Sequence, residues 1–156
     1  MNGFVIGIDP GVSGCMGIAA RKSGPFEYYK LPATPGETWS VFNAYAKNTE
    51  LVVVERISPR PGQSLRGTIT SCTRYGWLQM MVSVHGRSWD TVFVTANTWQ
   101  RALGLGKKWP KHYTEQKRYS ERKKFNRLRA IEMFPDLKIT HMNADGLLIT
   151  KYAEGL

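Results

Sequence analysis

The chain has 156 residues, of which 42% are apolar and 12% aromatic, and a formal net charge of +10. Length and composition fit one domain around a single core, and they exclude a disordered chain. The absence of any apolar run of ~20 residues excludes a membrane-spanning helix.

No signal peptide is recognisable at the N-terminus, and Cys15 and Cys72 form neither a disulfide framework nor a metal-binding spacing. The expected setting is therefore a reducing one: the cytoplasm of a bacterium or phage-infected host, or an organelle or nucleoid compartment that holds DNA. The charge is concentrated. Between Arg101 and Arg129 there are eleven Lys or Arg against two acids, Glu115 and Glu121. Such a stripe, interleaved with Trp109, His112, Tyr113 and Tyr119, predicts a polyanionic partner, with nucleic acid favoured over a merely solvated loop.

In chain order, Phe4 to Asp9 reads as a buried strand that ends in a carboxylate. The Pro10-Gly11 turn follows, then a second strand from Cys15 to Ala20 and a third from Phe26 to Leu31. Trp39, Phe42, Tyr45 and Ala46 recur at helical spacing within Gly36 to Ala46. Leu51 to Glu55 is a continuous apolar strand that again ends in an acid. A Pro-Gly-rich loop spans Ser58 to Ser64, and a long helix is predicted from Ser64 to Val84. Thr91 to Val94 is a further strand, and Asn97 to Arg101 then opens a short helical turn that ends near Leu105-Gly106. Lys107 to Gln116 reads as a basic loop, Arg118 to Met133 as a basic helix stopped by Pro135, and Thr140 to Ala153 as a final helix. The predicted class is α/β: a mixed five-stranded sheet, three strands antiparallel and two parallel, flanked by helices. A right-handed crossover would set the Leu51–Glu55 strand parallel to and beside the first strand. Asp9 and Glu55 would then share the carboxyl edge of the sheet, where open α/β sheets hold their sites.

Asp145 is a third acid, in the apolar first turns of the final helix. With a cap at Thr140, His141 and Asp145 would lie one turn apart on one face. Three converging carboxylates repel one another, and divalent metal relieves that repulsion; two ions about 3.5–4 Å apart suit attack on a phosphodiester. An ordinary structural reading is open for each residue: a turn former for Asp9, a surface ion pair for Glu55, a helix-dipole acid for Asp145 and a cap for His141. Beside a basic stripe, the set reads as a nuclease.

The Ile6-Gly7-Ile8-Asp9-Pro10-Gly11 motif, the Val53-Val54-Glu55 strand end and the Ala144-Asp145-Gly146-Leu147-Leu148-Ile149 helix resemble RuvC-type Holliday junction resolvases of the RNase H-like superfamily. Trp99-Gln100-Arg101-Ala102-Leu103-Gly104-Leu105 is closest in look to phage and organellar members. The resemblance covers essentially the whole chain. It implies an RNase H-like fold and a homodimeric endonuclease that nicks four-way DNA junctions symmetrically, leaving a 5′-phosphate and a 3′-hydroxyl. It also implies Mg²⁺ or Mn²⁺, two ions per site, on Asp9, Glu55 and Asp145, with Lys123 as the active-site lysine and Lys124 as the alternative register.

The sequence departs from that pattern at the fourth ligand, where Thr140, His141 and Met142 stand and only His141 can bind metal. A histidine there would favour Mn²⁺ or act as general base; without it, catalysis would be impaired. No aromatic wedge follows Glu55. Arg60, Arg66, Arg74 and Tyr75, with Lys107, Lys108, Lys111, Lys124 and Arg127, are the expected DNA contacts. The rival readings are a nuclease for other branched DNA or RNA–DNA hybrids, and a junction-binding protein without a complete metal site.

Overall fold

The computed structural model describes residues 3–21, 24–58, 63–85 and 89–156. Three strands come first: β1 (Phe4–Asp9), β2 (Cys15–Ala20) and β3 (Phe26–Lys30). Helix α1 (Pro35–Tyr45) and a single 3₁₀ turn lead into β4 (Thr49–Glu55). Then come α2 (Leu65–His85), β5 (Asp90–Val94), α3 (Ala96–Ala102), α4 (Glu115–Met133) and α5 (Ala144–Glu154).

The sheet order is β3-β2-β1-β4-β5. β1 pairs antiparallel with β2, and β2 with β3, whereas β4 runs parallel to both β1 and β5. This is the mixed sheet expected from the apolar runs, with β4 beside β1 as a right-handed crossover requires. The helix ends follow local chemistry. Thr34 and Glu37 form a capping box that starts α1 one residue earlier than predicted. The Thr114 hydroxyl accepts from the Lys117 N–H and starts α4 at Glu115 rather than Arg118.

Side chains alternate across the strands, so each face has its own core. Ile6, Ile8, Val52 and Val54 pack with Phe42 of α1 and with Leu78 and Val82 of α2. On the other face, Val5, Leu51 and Val53 meet Trp99 of α3, Ala130 of α4 and Leu147, Leu148 and Ile149 of α5. Continuing the alternation, Asp9 and Glu55 project toward the α3–α5 face. Helix α5 lies close on this face because Gly7 and Gly17, paired across β1 and β2, present no side chains. A Cβ on Gly7 would come within 2.2 Å of the Thr150 backbone nitrogen. The first turn of α5, which carries Asp145, is thereby brought down onto the ends of the two strands. Among the described residues, no helix is long and apolar enough to cross a membrane.

Candidate active site

Asp9, Glu55 and Asp145 come from three elements and meet at the carboxyl edge of β1 and β4. Each is less than a tenth exposed. The parallel pairing of Ile8 with Val54 makes Asp9 and Glu55 neighbours, and α5 adds Asp145 from above.

Each carboxylate has one oxygen held by a neutral donor. The Gly11 N–H donates to Asp9 Oδ1 at 2.9 Å, the Trp99 Nε1–H to Glu55 Oε2 at 3.0 Å, and the Asn126 Nδ2–H to Asp145 Oδ1 at 3.0 Å. The other oxygens of the two aspartates share a cation. The Lys123 ammonium donates to Asp145 Oδ2 and lies 3.9 Å from Asp9 Oδ2. Lys123 and Asn126 are one turn apart on α4, so that helix grips both oxygens of Asp145.

The electrostatics follow from this crowding. Burial, with Asp9 and Asp145 close by, pushes the Glu55 carboxyl up to about 8, although the Trp99 hydrogen bond and Lys123 pull the other way. Burial works against the charge on Lys123, but Asp145 and Asp9 more than offset it and hold the ammonium well above its ordinary range. Burial first, and then the same two aspartates, push the Cys15 thiol up to about 12, so it stays neutral.

The donors are hard carboxylate oxygens, the type that suits Mg²⁺ and Mn²⁺. As they stand, no three Asp, Glu, His or Cys side chains among the described residues are grouped so as to hold an ion. The Lys123 ammonium bridges two of the three acids. The donor chemistry of Asp9, Glu55 and Asp145 suits a divalent cation, although their present spacing does not gather all three on one ion.

His141 is not joined to them. The Asn143 Oδ1 accepts from the Thr140 N–H at 2.7 Å and from its hydroxyl at 3.2 Å, while Thr140 Oγ1 accepts from the Met142 N–H. These bonds hold residues 140–143 as a turn, and α5 begins after it, at Ala144 and not at Thr140. His141 lies exposed in that turn, ahead of the first residue of α5.

The expected DNA contacts divide. Arg60 lies outside the described residues. Arg66 is exposed in the first turn of α2. Arg74 holds the turn after β1, its Nη1 donating to the carbonyls of Gly11 at 3.0 Å and Val12 at 2.7 Å. Tyr75 packs edge-on against Phe93, on the sheet face opposite the acids. Lys108 and Lys111 are exposed, and Lys107 places its ammonium over the Trp109 ring at 5.0 Å. Lys124 is exposed and paired with Glu121, and Arg127 is half-buried on the same helix. Beside the acids, α4 carries seven basic and three acidic residues.

The roles of Trp99 and Asn126 were not apparent from sequence. Trp99 reads as a core aromatic, and it is also fully buried. The signal for Asn126 is its place three residues after Lys123, a small amide within a run of long cations.

No family model and no curated protein sequence matches the chain. Solved structures do. The chain is 16% identical to Thermus thermophilus RuvC over 96% of its own length and 92% of the other, with a TM-score of 0.54. Against T. thermophilus RuvC in complex with a Holliday junction substrate, identity is 15% over 96% and 91% of the two chains, with a TM-score of 0.62. Against the yeast mitochondrial Holliday junction resolvase, identity is 12% over 98% and 78%, with a TM-score of 0.52. At these identities the likeness is one of architecture: the chain has the RNase H-like fold of RuvC.

Proposed function

We propose that this chain is a structure-selective endonuclease that resolves four-way DNA junctions by metal-dependent symmetric nicking as a homodimer. The observation that carries the reading is the meeting of Asp9, Glu55 and Asp145 at one sheet edge, bridged by Lys123 of a basic helix. The fold supports it, since the solved neighbours include a resolvase bound to a Holliday junction substrate.

Asp9, Glu55 and Asp145 would hold Mg²⁺ or Mn²⁺, which supplies Lewis acidity and an activated water. The chain supplies the rest. The Gly11 N–H, Trp99 and Asn126 fix the carboxylates, so that little reorganisation accompanies binding. Lys123 offers a fixed positive charge to the scissile phosphate. The outer residues of α4 and the Lys107–Lys111 segment hold the flanking backbone, which sets position without reading sequence. Selectivity then comes from junction shape.

The homodimer has support in α2. Leu65, Ile69, Met80 and Val84 are between 56% and 77% exposed. With the exposed Thr73 and Gly76 they form one stripe about 100° wide, turned away from the buried Ser71, Leu78 and Val82. The stripe is palindromic. About a centre between Arg74 and Tyr75, Leu65 mirrors Val84, Ile69 mirrors Met80, and Thr73 mirrors Gly76. A two-fold antiparallel helix pair requires that symmetry, because each residue must meet its mirror on the other copy. Two sites related by the same axis face symmetric strands of a junction. Ile69→Glu is expected to convert a dimer to a monomer in sedimentation and to turn paired nicking into single nicks. A variant that stays dimeric would remove α2 as the interface.

The function is tested with a synthetic four-way junction, a linear duplex and an RNA–DNA hybrid, each incubated with Mg²⁺ or Mn²⁺. Paired nicks in the junction alone are expected. Preferential hybrid cutting would favour a different RNase H-like nuclease. Junction binding with no cutting under either metal would leave a binding protein, the reading that the outlying His141 favours.

A further inference from the structure

Arg74 stands where an arginine is unexpected. It precedes Leu78 by four residues and Val82 by eight, two of the side chains that α2 buries against the sheet. It therefore shares their stripe and not the outer face of the helix, and it is itself half-buried. Where the apolar stripe runs out, the guanidinium reaches the turn between β1 and β2. Its Nη1 donates to the carbonyls of Gly11 at 3.0 Å and Val12 at 2.7 Å.

That turn gains a hold from outside itself. Val12 is 52% exposed and Ser13 is exposed too, so neither side chain at the tip anchors the bend in the core. Gly11 and Gly14 flank them, and glycine gives up more backbone freedom on ordering than any other residue. The Gly14 N–H donates to the Gly11 carbonyl at 2.8 Å. Arg74 takes the second lone pair of that carbonyl and the carbonyl of the next residue, through charge-assisted bonds roughly twice as strong as neutral ones. The other end of the same glycine faces the acids: the Gly11 N–H donates to Asp9 Oδ1 at 2.9 Å and is one of the holds on that carboxylate. An arginine that pins two successive carbonyls restrains the backbone of the residue that aims this N–H. Helix α2 packs on the sheet face opposite the acids, and the link from the guanidinium to Asp9 runs through this backbone.

We infer that Arg74 is a positioning residue of the acid site: from behind the sheet it sets the turn whose Gly11 N–H orients the Asp9 carboxylate for a cation. The inference rests on the metal-dependent reading above and adds to it a residue on the far side of the sheet. It differs from the DNA contact expected from sequence, and from a mere tie between α2 and the sheet.

Arg74→Met keeps the apolar stem and removes both bonds. Mn²⁺ affinity of the DNA-free chain, read by electron paramagnetic resonance, should fall about tenfold, the lower end of what loss of an outer partner costs a metal site. Single-turnover junction cutting should fall with it at low Mn²⁺ and recover as Mn²⁺ is raised, with little change in the limiting rate. Arg74→Lys should bring Mn²⁺ affinity back to within about threefold, because one nitrogen makes both bonds and an ammonium can take its place. Val82→Ala, on the same stripe, loosens α2 without touching the turn and should leave Mn²⁺ affinity unchanged. Undiminished Mn²⁺ affinity in a folded Arg74→Met variant, or the same loss in Val82→Ala, would overturn the inference. So would a loss of junction affinity in EDTA with a salt slope lower by about one, the mark of a phosphate contact. Where Arg74→Met does not fold, Arg74→Gln keeps an N–H for one of the two carbonyls and must still weaken Mn²⁺ binding by about threefold or more. An unaltered chain that binds no Mn²⁺ overturns the inference as well, and junction cutting that persists in EDTA would show that the metal-dependent reading had failed with it.

Discussion

Asp9→Asn is expected to lower junction cutting by on the order of 10³-fold or more, the scale on which a group acting on developing charge is lost. Junction affinity should stay within about two-fold, the scale of a single weak surface contact. The substitution keeps the size of the side chain and its acceptor oxygen, so the Gly11 N–H retains its 2.9 Å bond. What it removes is charge from one of three donors, and it turns an amide N–H toward the Lys123 ammonium, which a carboxylate had attracted at 3.9 Å. The basic surface of α4 and the exposed Lys108 and Lys111, which would hold the DNA backbone, lie outside this change. Single-turnover cleavage and a gel-shift titration on the same junction separate the two effects. If affinity collapsed with cutting, Asp9 would be a structural turn residue instead of a metal ligand. The Asp145→Asn variant should behave alike in cutting, but it also loses the ion pair to Lys123 and gives a site where α4 is held less firmly.

The strand-end acids were legible because an apolar run that stops at a carboxylate has few structural explanations. Two such runs, Phe4–Asp9 and Thr49–Glu55, fix both the sheet edge and the face on which the acids emerge. The antiparallel start and the parallel crossover follow from strand spacing and handedness, and the sheet order agrees with both. The start of α5 was not legible. Thr140 is a good N-cap by type, but residues 140–143 form a hydrogen-bonded turn with the Asn143 side chain and the helix begins four residues later, at Ala144. His141 therefore lies exposed in that turn and not on the predicted face of the helix. Arg74 was misleading for a similar reason: an arginine on a long helix reads as a surface cation, whereas its guanidinium ties α2 to the turn after Asp9. The supports of the site, Trp99 and Asn126, were hidden because their partners are 44 and 19 residues away in sequence. A pattern of local spacing carries no trace of such pairs.

The same crowding of acids predicts how stability depends on pH. Freed of metal by EDTA, the protein should lose roughly 2–4 kcal/mol of unfolding free energy between pH 5 and pH 8. The ordinary value for a glutamate carboxyl is 4.5, and the fold raises Glu55 to about 8. Between those values the native state holds a proton that the unfolded chain has released, so stability falls as pH rises through the window. The other raised groups do not contribute there. The Cys15 thiol begins from 9.0, and the Lys123 ammonium from 10.5, so their effects lie above pH 8. Glu55→Gln is neutral at every pH and keeps an oxygen to accept from Trp99, so its unfolding free energy should be nearly flat over the same range. Saturating Mg²⁺ should flatten the unaltered protein too, because a bound cation stabilises the ionised carboxylate and removes the reason for proton uptake. Urea unfolding at pH 5, 6, 7 and 8, with EDTA and with Mg²⁺, measures all three. A flat metal-free profile would mean that Glu55 ionises in the folded state as it does in water, and that the three acids do not crowd one another as their positions require.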